Sequence, residues 1–508
     1  MSSKLNMYYP FIIHQINQIN NSHKNALSIQ QKTFEYLINR GKQTSYGKDF
    51  FFQDIKNYND FTKVVPINDY NSLKPYFDKM INGEQNILWN TPIKMFSKSS
   101  GTTDNKSKFI PVSNEALRDC HLNVGQQMFA SYFKNNPQTK LLTGMLMSIT
   151  GSTIKNDSRM TIGDVSALLT KNIQWYVRPF RAPSNDIALL PDWENKIEKI
   201  CKKYIQKNIV GLVGVPSWGY VLLEHICKYA DKSTIIEIWN NFELFVHGGV
   251  NFSPYTQSFE KIIGKDINYI ETYNASEGFF GFQDEPTEDM LIAVDGGIFY
   301  EFIPMENFDA DNLGHVNSDV KPICLEDIEL YKNYAIVITT NAGLWRYVIG
   351  DTVIFTSKNP YRIKVSGRTK SFINAFGEEL IEDNALKAIN SVCTEMGCTI
   401  SEFTVAPVYL SEENACHQWL IEFSKEPDNI DIFAKKLDKY LQEINSDYEA
   451  KRKGDMILKK LKVLQLKSGT FYEWLKSNNR IGGQNKIPRL CNDRRIADSI
   501  LLFLSQVK

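Results

Sequence analysis

The sequence predicts a mixed α/β protein, and three observations carry that reading. Two short apolar runs that contain glycine, LLTGMLMSI (141–149) and IVGLVGV (209–215), fit buried strands better than helices. The second run is followed by Pro216–Ser217 and then by WGYVLLEHICKYA, whose apolar residues have helical spacing. Strand, turn and helix in that order form the unit of layered α/β domains. Past about residue 370 the chain changes to a compact α+β pattern of a little over 100 residues.

The elements follow in chain order. Residues 24–40 set Leu27, Phe34, Leu37 and Ile38 on one face, which predicts an amphipathic helix, with Gly41 as its C-cap. The stretch 330–356 alternates as two strands around a turn at Asn341–Ala342–Gly343. HQWLIEFS (417–424) alternates as a strand. Residues 430–444 place Ile430, Phe433, Leu437, Tyr440, Leu441 and Ile444 at helical spacing, KLKVLQLK (460–467) is a further strand, and GTFYEWLKS is a turn with a short helix. The basic run KRK at 451–453 reads as a solvated face. Length alone suggests roughly three units at about 150 residues each. The polar stretch SGRTKSFINAFGEE (366–379) places one boundary near Lys370, dividing the chain into 1–370 and 371–508.

Composition narrows the function. The 508 residues are 43% hydrophobic and 12% aromatic, values of a globular chain. With 58 basic and 58 acidic residues the net charge is zero, so the footprint of a dedicated nucleic-acid binder is missing. The eight cysteines form no C-x-x-C pair, which points to a reduced, cytoplasmic setting rather than a disulfide framework. The seven histidines lack metal-ligand spacing, so a zinc site is not expected. MSSKLNMYYPFIIHQINQ, broken by Pro10, makes a poor signal peptide, and no stretch reaches the length needed to span a bilayer. The expected partners are therefore small molecules, with no nucleic acid and no membrane, and a monomer is expected.

Four stretches carry chemistry. SKSSGTTDNKSK (97–108) fails the G-x-x-x-x-G-K-[ST] template, because Lys106 stands where the second glycine belongs. It fits a different phosphate loop, [ST]-S-G-T-[ST]-x-G-x-x-K, through Ser99, Ser100, Gly101, Thr102, Thr103 and Lys108. Asn105 replaces that loop's second glycine. Small hydroxyl residues and glycine let backbone N–H groups surround a triphosphate, and a lysine adds charge. In ETYNASEGFFGF (271–282), Tyr273 can stack on a base, Ser276 can touch a phosphate and Glu277 can hold Mg²⁺, a cation that prefers oxygen. Upstream, Gly248 and Gly249 let a flat ring approach bare backbone, while the adjacent His247 reads as packed rather than catalytic. In WRYVIGD (345–351) and SGR (366–368), Asp351 can accept ribose hydroxyls and Arg368 can reach the sugar or a phosphate. Arg346 is equally suited to pairing with a structural carboxylate. GGQNKIPRL (482–490) holds Lys486 in a glycine-led loop.

SSGTT, YNASE, RYVIGD, GR and QNKIPR, in this order, resemble the ANL adenylate-forming superfamily. More closely, the set is similar to the auxin-responsive (Gretchen Hagen) family of acyl acid–amido synthetases and their microbial relatives. TSYGKDF and VPINDY also look familial, and the resemblance runs from about residue 40 to about residue 490. It implies a large N-terminal domain with β-sheets, helices and a β-barrel, plus a small mobile α+β C-terminal domain. It implies ATP and Mg²⁺, an acyl-adenylate intermediate, and transfer of the acyl group to the amine of an amino acid. By position, Ser99 to Thr103 would hold the β and γ phosphates, Tyr273 would flank adenine and Ser276 would touch phosphate. Glu277 would bind Mg²⁺, Asp351 would hold the ribose with Arg368 nearby, and Lys486 would be the mobile lysine of adenylation. For the acyl acid, Trp175, Arg178 and Trp218 stand out. Two alternatives stay open: coenzyme A as the acceptor, or nucleotide binding without turnover.

Overall fold

The computed structural model describes residues 3–99, 108–156, 159–250, 252, 255–308, 321–369, 372–409, 415–455, 457–478 and 487–506. The predicted α/β class holds. One sheet has twelve strands and sets the frame of the molecule. From one edge run Arg181–Ala182, Met145–Ser148, Ile209–Gly214, Leu244–Gly248 and Asn268–Asn274, each parallel to its neighbour. The sheet then turns antiparallel through Phe279–Phe282, Met290–Ile292, Tyr361–Arg368, Tyr347–Lys358, Asn333–Thr340, Ile298–Pro304 and Ile323–Cys324. Among the described residues no strand pairing that closes this antiparallel run into a barrel is found.

A second sheet orders Lys108–Val112, Met95–Ser99, Thr161–Asp164 and Thr153–Asn156. A third, near the C-terminus, orders Thr399–Val408, Cys416–Lys425 and Lys462–Leu466. Between them lies a small hairpin, Phe372–Ile373 with Leu380–Ile381.

Local rules explain the connections. Pro216 opens the helix Pro216–Ala230 at a position where its missing N–H costs nothing. Asn429 caps Ile430–Ile444 by accepting from the Ile432 N–H, and Phe433, Leu437 and Leu441 of that helix are buried. The turn predicted at Asn341–Ala342–Gly343 joins Asn333–Thr340 to Tyr347–Lys358, with Gly343 at φ +86°.

Three sequence expectations need correction. Leu27 is 45% exposed, although Phe34, Leu37 and Ile38 of the helix Ala26–Gly41 are buried as predicted. Gly41 is the last helical residue rather than the cap. A Cβ there would lie 2.6 Å from the Trp345 ring, so close packing, not a left-handed turn, calls for glycine. The run at 451–453 is solvated only at Lys453: Lys451 is 9% exposed, and the Arg452 guanidinium is held by Asp438 and Asp455.

Two apolar clusters build the interior. One joins the N-terminal helices to the antiparallel strands through Phe34, Trp89, Tyr300 and Trp345. The other runs from the helical face of the parallel strands, through Leu222, Phe245 and Phe259, into the C-terminal residues Phe376, Trp419 and Leu437. The carboxyl ends of the parallel strands therefore face the C-terminal unit across packed side chains. Open α/β sheets place ligand sites at those strand ends.

Candidate active site

Gly248, Gly249 and Tyr273 lie at or near these strand ends, and Asp351 and Arg368 are joined to Tyr273 by hydrogen bonds. Leu244–Gly248 ends at the glycine pair, where a Cβ on Gly248 would stand 2.3 Å from the Thr272 carbonyl oxygen. Gly249 has φ +82° and leaves a stretch of bare backbone. On the neighbouring strand Tyr273 is buried, and its hydroxyl donates to Asp351 Oδ2 at 2.8 Å. Asp351 Oδ1 accepts from Arg368 Nε at 2.8 Å, the two residues standing opposite each other in the Tyr347–Lys358 and Tyr361–Arg368 hairpin. Arg368 also reaches Glu379 at 3.4 Å and lies 5.0 Å from the centre of the Phe372 ring. Burial and the Asp351 charge push the Tyr273 phenol well above its usual range. Burial works against the charged Arg368, but Glu379 and Asp351 outweigh it and hold the guanidinium's pKa above its ordinary value. Each Asp351 oxygen is bonded once and keeps a further lone pair for a ligand.

The second group lies just past the end of Asn268–Asn274. Ser276 Oγ accepts from Ser97 Oγ at 2.9 Å and contacts the Lys98 carbonyl oxygen at 3.5 Å, which ties this turn to the strand Met95–Ser99. Burial raises the Glu277 carboxyl to about 7, and the Lys108 charge opposes that rise. Lys108 is itself pushed down by burial, with Glu277 acting in the opposite sense, and its ammonium lies 5.6 Å from the centre of the Tyr70 ring. Ser99 closes the strand Met95–Ser99, opposite Lys108 in register. Ser100, Gly101, Thr102, Thr103, Asn105 and Lys486 lie outside the described residues.

Other predicted residues sort clearly. Arg346 is the structural partner that its sequence context allowed. It is 3% exposed, pairs through two nitrogens with the fully buried Glu301, and donates to the Val65 carbonyl oxygen. His247 is packed, stacked 4.2 Å from Phe252, and burial lowers its pKa to about 3. Trp175 is 78% exposed and Arg178 is exposed as well, so neither enters a buried pocket wall in this structure. Trp218 is partly buried and meets Trp193 edge-on at 4.2 Å. The familial TSYGKDF and VPINDY residues hold the scaffold: Asn68 donates to the Tyr46 hydroxyl and to the Trp345 carbonyl oxygen.

Several residues escaped the sequence reading. Ser97 matches no motif position yet bonds Ser276, and Glu379 completes the grip on Arg368. Asn374 donates to the Gly249 carbonyl oxygen at 3.1 Å, linking the Phe372–Ile381 hairpin to the glycine pair. Glu271 stands two residues before Tyr273 on one strand face and borders a cavity of about 460 Å³ that His247, Phe252 and Tyr269 also line. Burial raises its carboxyl above the usual range. Strand periodicity from Tyr273 was the available signal for Glu271. None existed for Glu379 or Asn374.

Fold and site together define a layered α/β protein with a group of hydrogen-bonded polar side chains beside the carboxyl ends of parallel strands. The chain belongs to the GH3 family: the models for its N-terminal, central and C-terminal domains match residues 15–267, 291–368 and 383–495. Among curated relatives it is similar to the indole-3-acetic acid-amido synthetase GH3.3 of Arabidopsis thaliana, at 22% identity over 92% of this chain and 89% of that protein. It is also similar to the jasmonoyl–L-amino acid synthetase JAR4 of Nicotiana attenuata, at 25% identity over 65% and 67%. Among solved structures, the GH3.15 acyl acid amido synthetase matches 96% of this chain and 95% of its own, with TM-score 0.60 and 18% identity. A 2-hydroxyisobutyryl-CoA ligase matches 96% and 92%, with TM-score 0.55 and 13% identity. These two likenesses establish the fold.

Proposed function

We propose that this protein is an ATP-dependent acyl acid–amido synthetase. It activates a carboxylic acid as an acyl-adenylate and passes the acyl group to the amine of an amino acid. The observation that carries the reading is the Tyr273–Asp351–Arg368 chain set beside Gly248–Gly249 and Ser276–Glu277. The names of the family relatives, which are amido synthetases of indole-3-acetic acid and of jasmonoyl conjugates, support the amide-forming outcome over transfer to coenzyme A. The fold alone does not separate the two, since a coenzyme A ligase shares it.

In this reading the adenine lies between the bare Gly248–Gly249 backbone and the Tyr273 ring. Glu271 accepts from the base's exocyclic amino group, and Asp351 receives the ribose hydroxyls while Arg368 holds it in place. Ser99, Ser100, Gly101, Thr102 and Thr103 cradle the β and γ phosphates, with Lys108 and Ser276 at their flank. Among the described residues no three His, Cys, Asp or Glu side chains converge as a metal cage. Glu277 nonetheless offers one hard oxygen donor, which fits Mg²⁺ arriving on the phosphates with most of its shell supplied by them and by water. The ion would supply charge neutralisation there. Trp218 is the candidate wall for the acyl acid, with Trp175 and Arg178 on the exposed segment beyond. The chain divides near Lys370 into domains 1–370 and 371–508, and the eight free thiols suit a reducing cytoplasm.

Lys486 supplies the positive charge of the first step, when negative charge builds between the carboxylate and the α-phosphate. Replacing it tests the reading. Lys486→Ala should lower acid-dependent pyrophosphate exchange by about 10²–10³-fold while amide formation from supplied acyl-adenylate persists. Undiminished exchange would remove Lys486 from this role. No exchange by the unaltered protein, across aryl, indolic and fatty acids, would overturn the function.

A further inference from the structure

Lys451 is an unusual charge among the described residues. It sits in the helix Ser446–Arg452 and is 9% exposed, yet among the described residues its ammonium has no ion-pair or hydrogen-bond partner. Its side chain passes over Gly377, where a Cβ would lie 3.0 Å from Lys451 Cε and 3.9 Å from Val215, and its ammonium ends 5.0 Å from the centre of the Trp218 ring. Val215 and Trp218 follow the strand Ile209–Gly214, so a lysine of the C-terminal unit reaches the carboxyl end of the parallel sheet. The contact is fastened on the hairpin side, where Ser217 Oγ donates to the Phe376 carbonyl oxygen at 2.9 Å.

One helical turn before Lys451 stands Asp447, so the two side chains share a helix face with about 5–6 Å between their Cβ atoms. Across from them, Lys98 and Asp164 are register partners on the neighbouring strands Met95–Ser99 and Thr161–Asp164. Asp447 lies within electrostatic reach of Glu379, Lys451, Lys98 and Asp164, and its carboxyl is raised to about 6, chiefly by burial and then by Glu379. Only some of this charge is spoken for. Asp164 Oδ2 accepts from the Ser152 N–H at 2.8 Å, and Glu379 is engaged by Arg368. Lys98, Asp447 and Lys451 enter no side-chain hydrogen bond or ion pair among the described residues. A partly buried set with two unpaired cations and a free carboxylate is expensive unless something charged completes it. Each wall offers one ammonium and one carboxylate, the complement of a zwitterion.

We propose that Lys98, Asp164, Asp447 and Lys451 form the subsite for the acceptor amino acid, the lysines facing its carboxylate and the aspartates its ammonium. The assignment rests on the amido synthetase reading. Asp447 takes one proton from the ammonium, which frees the nitrogen lone pair. That nitrogen forms the C–N bond at the acyl carbonyl carbon. The bond from that carbon to the AMP oxygen breaks and AMP leaves with the electron pair, while the second ammonium proton passes to water or to the AMP phosphate. Lys451 and Trp218 being in contact places the acceptor next to the candidate acyl wall.

The test compares the L-amino acid that the unaltered protein uses best with the same amino acid as its neutral α-carboxamide. Loss of one charge-assisted contact in Lys451→Met should lower kcat/KM for the amino acid about tenfold or more, mostly through KM. The carboxamide should change by less than about threefold, and Lys451→Arg should restore most of the preference. Asp447→Asn should lower kcat for both amines by about 10²-fold and remove the rise in rate near pH 6. Equal losses for the two amines in Lys451→Met, or unchanged kinetics in both variants, would overturn the assignment. Failure of the unaltered protein to show acid-dependent pyrophosphate exchange would instead overturn the adenylation reading beneath it.

Discussion

The stretch WRYVIGD contains the beginnings of two arginine–carboxylate pairs that do opposite work. Arg346 pairs with Glu301 at 2.8 Å, with side chains 4% and 0% exposed, and its remaining donors go to the Val65 carbonyl. Asp351 pairs with Arg368 at the same distance, but the two side chains are 22% (Arg368) and 16% (Asp351) exposed at the open strand ends. The first pair is closed on every side by protein. The second is partly exposed and keeps acceptor lone pairs beyond its hydrogen bonds among the described residues. Equal hydrogen-bond lengths therefore say little about role, and what separates structure from site is whether acceptor capacity remains where a ligand can reach it.

Breaking each pair should expose that contrast. Glu301→Ala leaves the Arg346 charge buried without its carboxylate, and should cost about 3–5 kcal/mol of stability in urea unfolding. Replacing both partners with apolar residues of similar volume should recover much of the loss, because no orphaned charge remains. Asp351→Asn should cost less than about 1–2 kcal/mol in the same unfolding experiment, since the pair is partly solvated. Its effect should fall on pyrophosphate exchange instead, lowering kcat/KM for ATP by about 10²-fold. Similar stability losses for the two pairs would erase the distinction.

The same contrast explains what could be read from the sequence. Tyr273, Ser276, Glu277, Asp351 and Arg368 were legible because they sit in short motifs whose order along the chain restricts their meaning, and hydrogen bonds join Tyr273, Asp351 and Arg368 in the fold. The strands 209–214 and 416–425 and the helix 430–444 were legible from periodicity. What periodicity could not supply was the partner across the fold. Leu27 has the spacing of a core residue, but it is 45% exposed among the described residues. Gly41 looks like a cap, yet it is glycine because the Trp345 ring, 304 positions later, comes within 2.6 Å of a would-be Cβ. Lys451 looked solvated for the same reason: its cover is Gly377 and Trp218, which local pattern does not connect to it. Residues 100–107 of SKSSGTTDNKSK and Lys486 were read from motif alone and lie outside the described residues, so their roles stand on the proposed chemistry.

Glu277 gives the smallest expected effect and the finest test of which carboxylates face the cleft. In the unfolded chain a glutamate titrates near 4.5, whereas burial lifts the folded carboxyl to about 7, with Lys108 limiting the rise. The folded state therefore holds this proton more tightly than the unfolded state. The stability it confers is fully present below 4.5, and is lost as pH rises through 7. Glu277→Gln removes the titration while keeping the shape. The melting temperature of the variant should accordingly gain on that of the unaltered protein between pH 5 and pH 8, by a few degrees at most for a chain of this size. Adding Mg²⁺ with ATP at pH 8 should close part of that gap, because a bound cation favours the ionised carboxylate that burial disfavours. A gap of the same size at both pH values would mean that Glu277 is held by protein partners, as Glu301 is, rather than left open for a ligand.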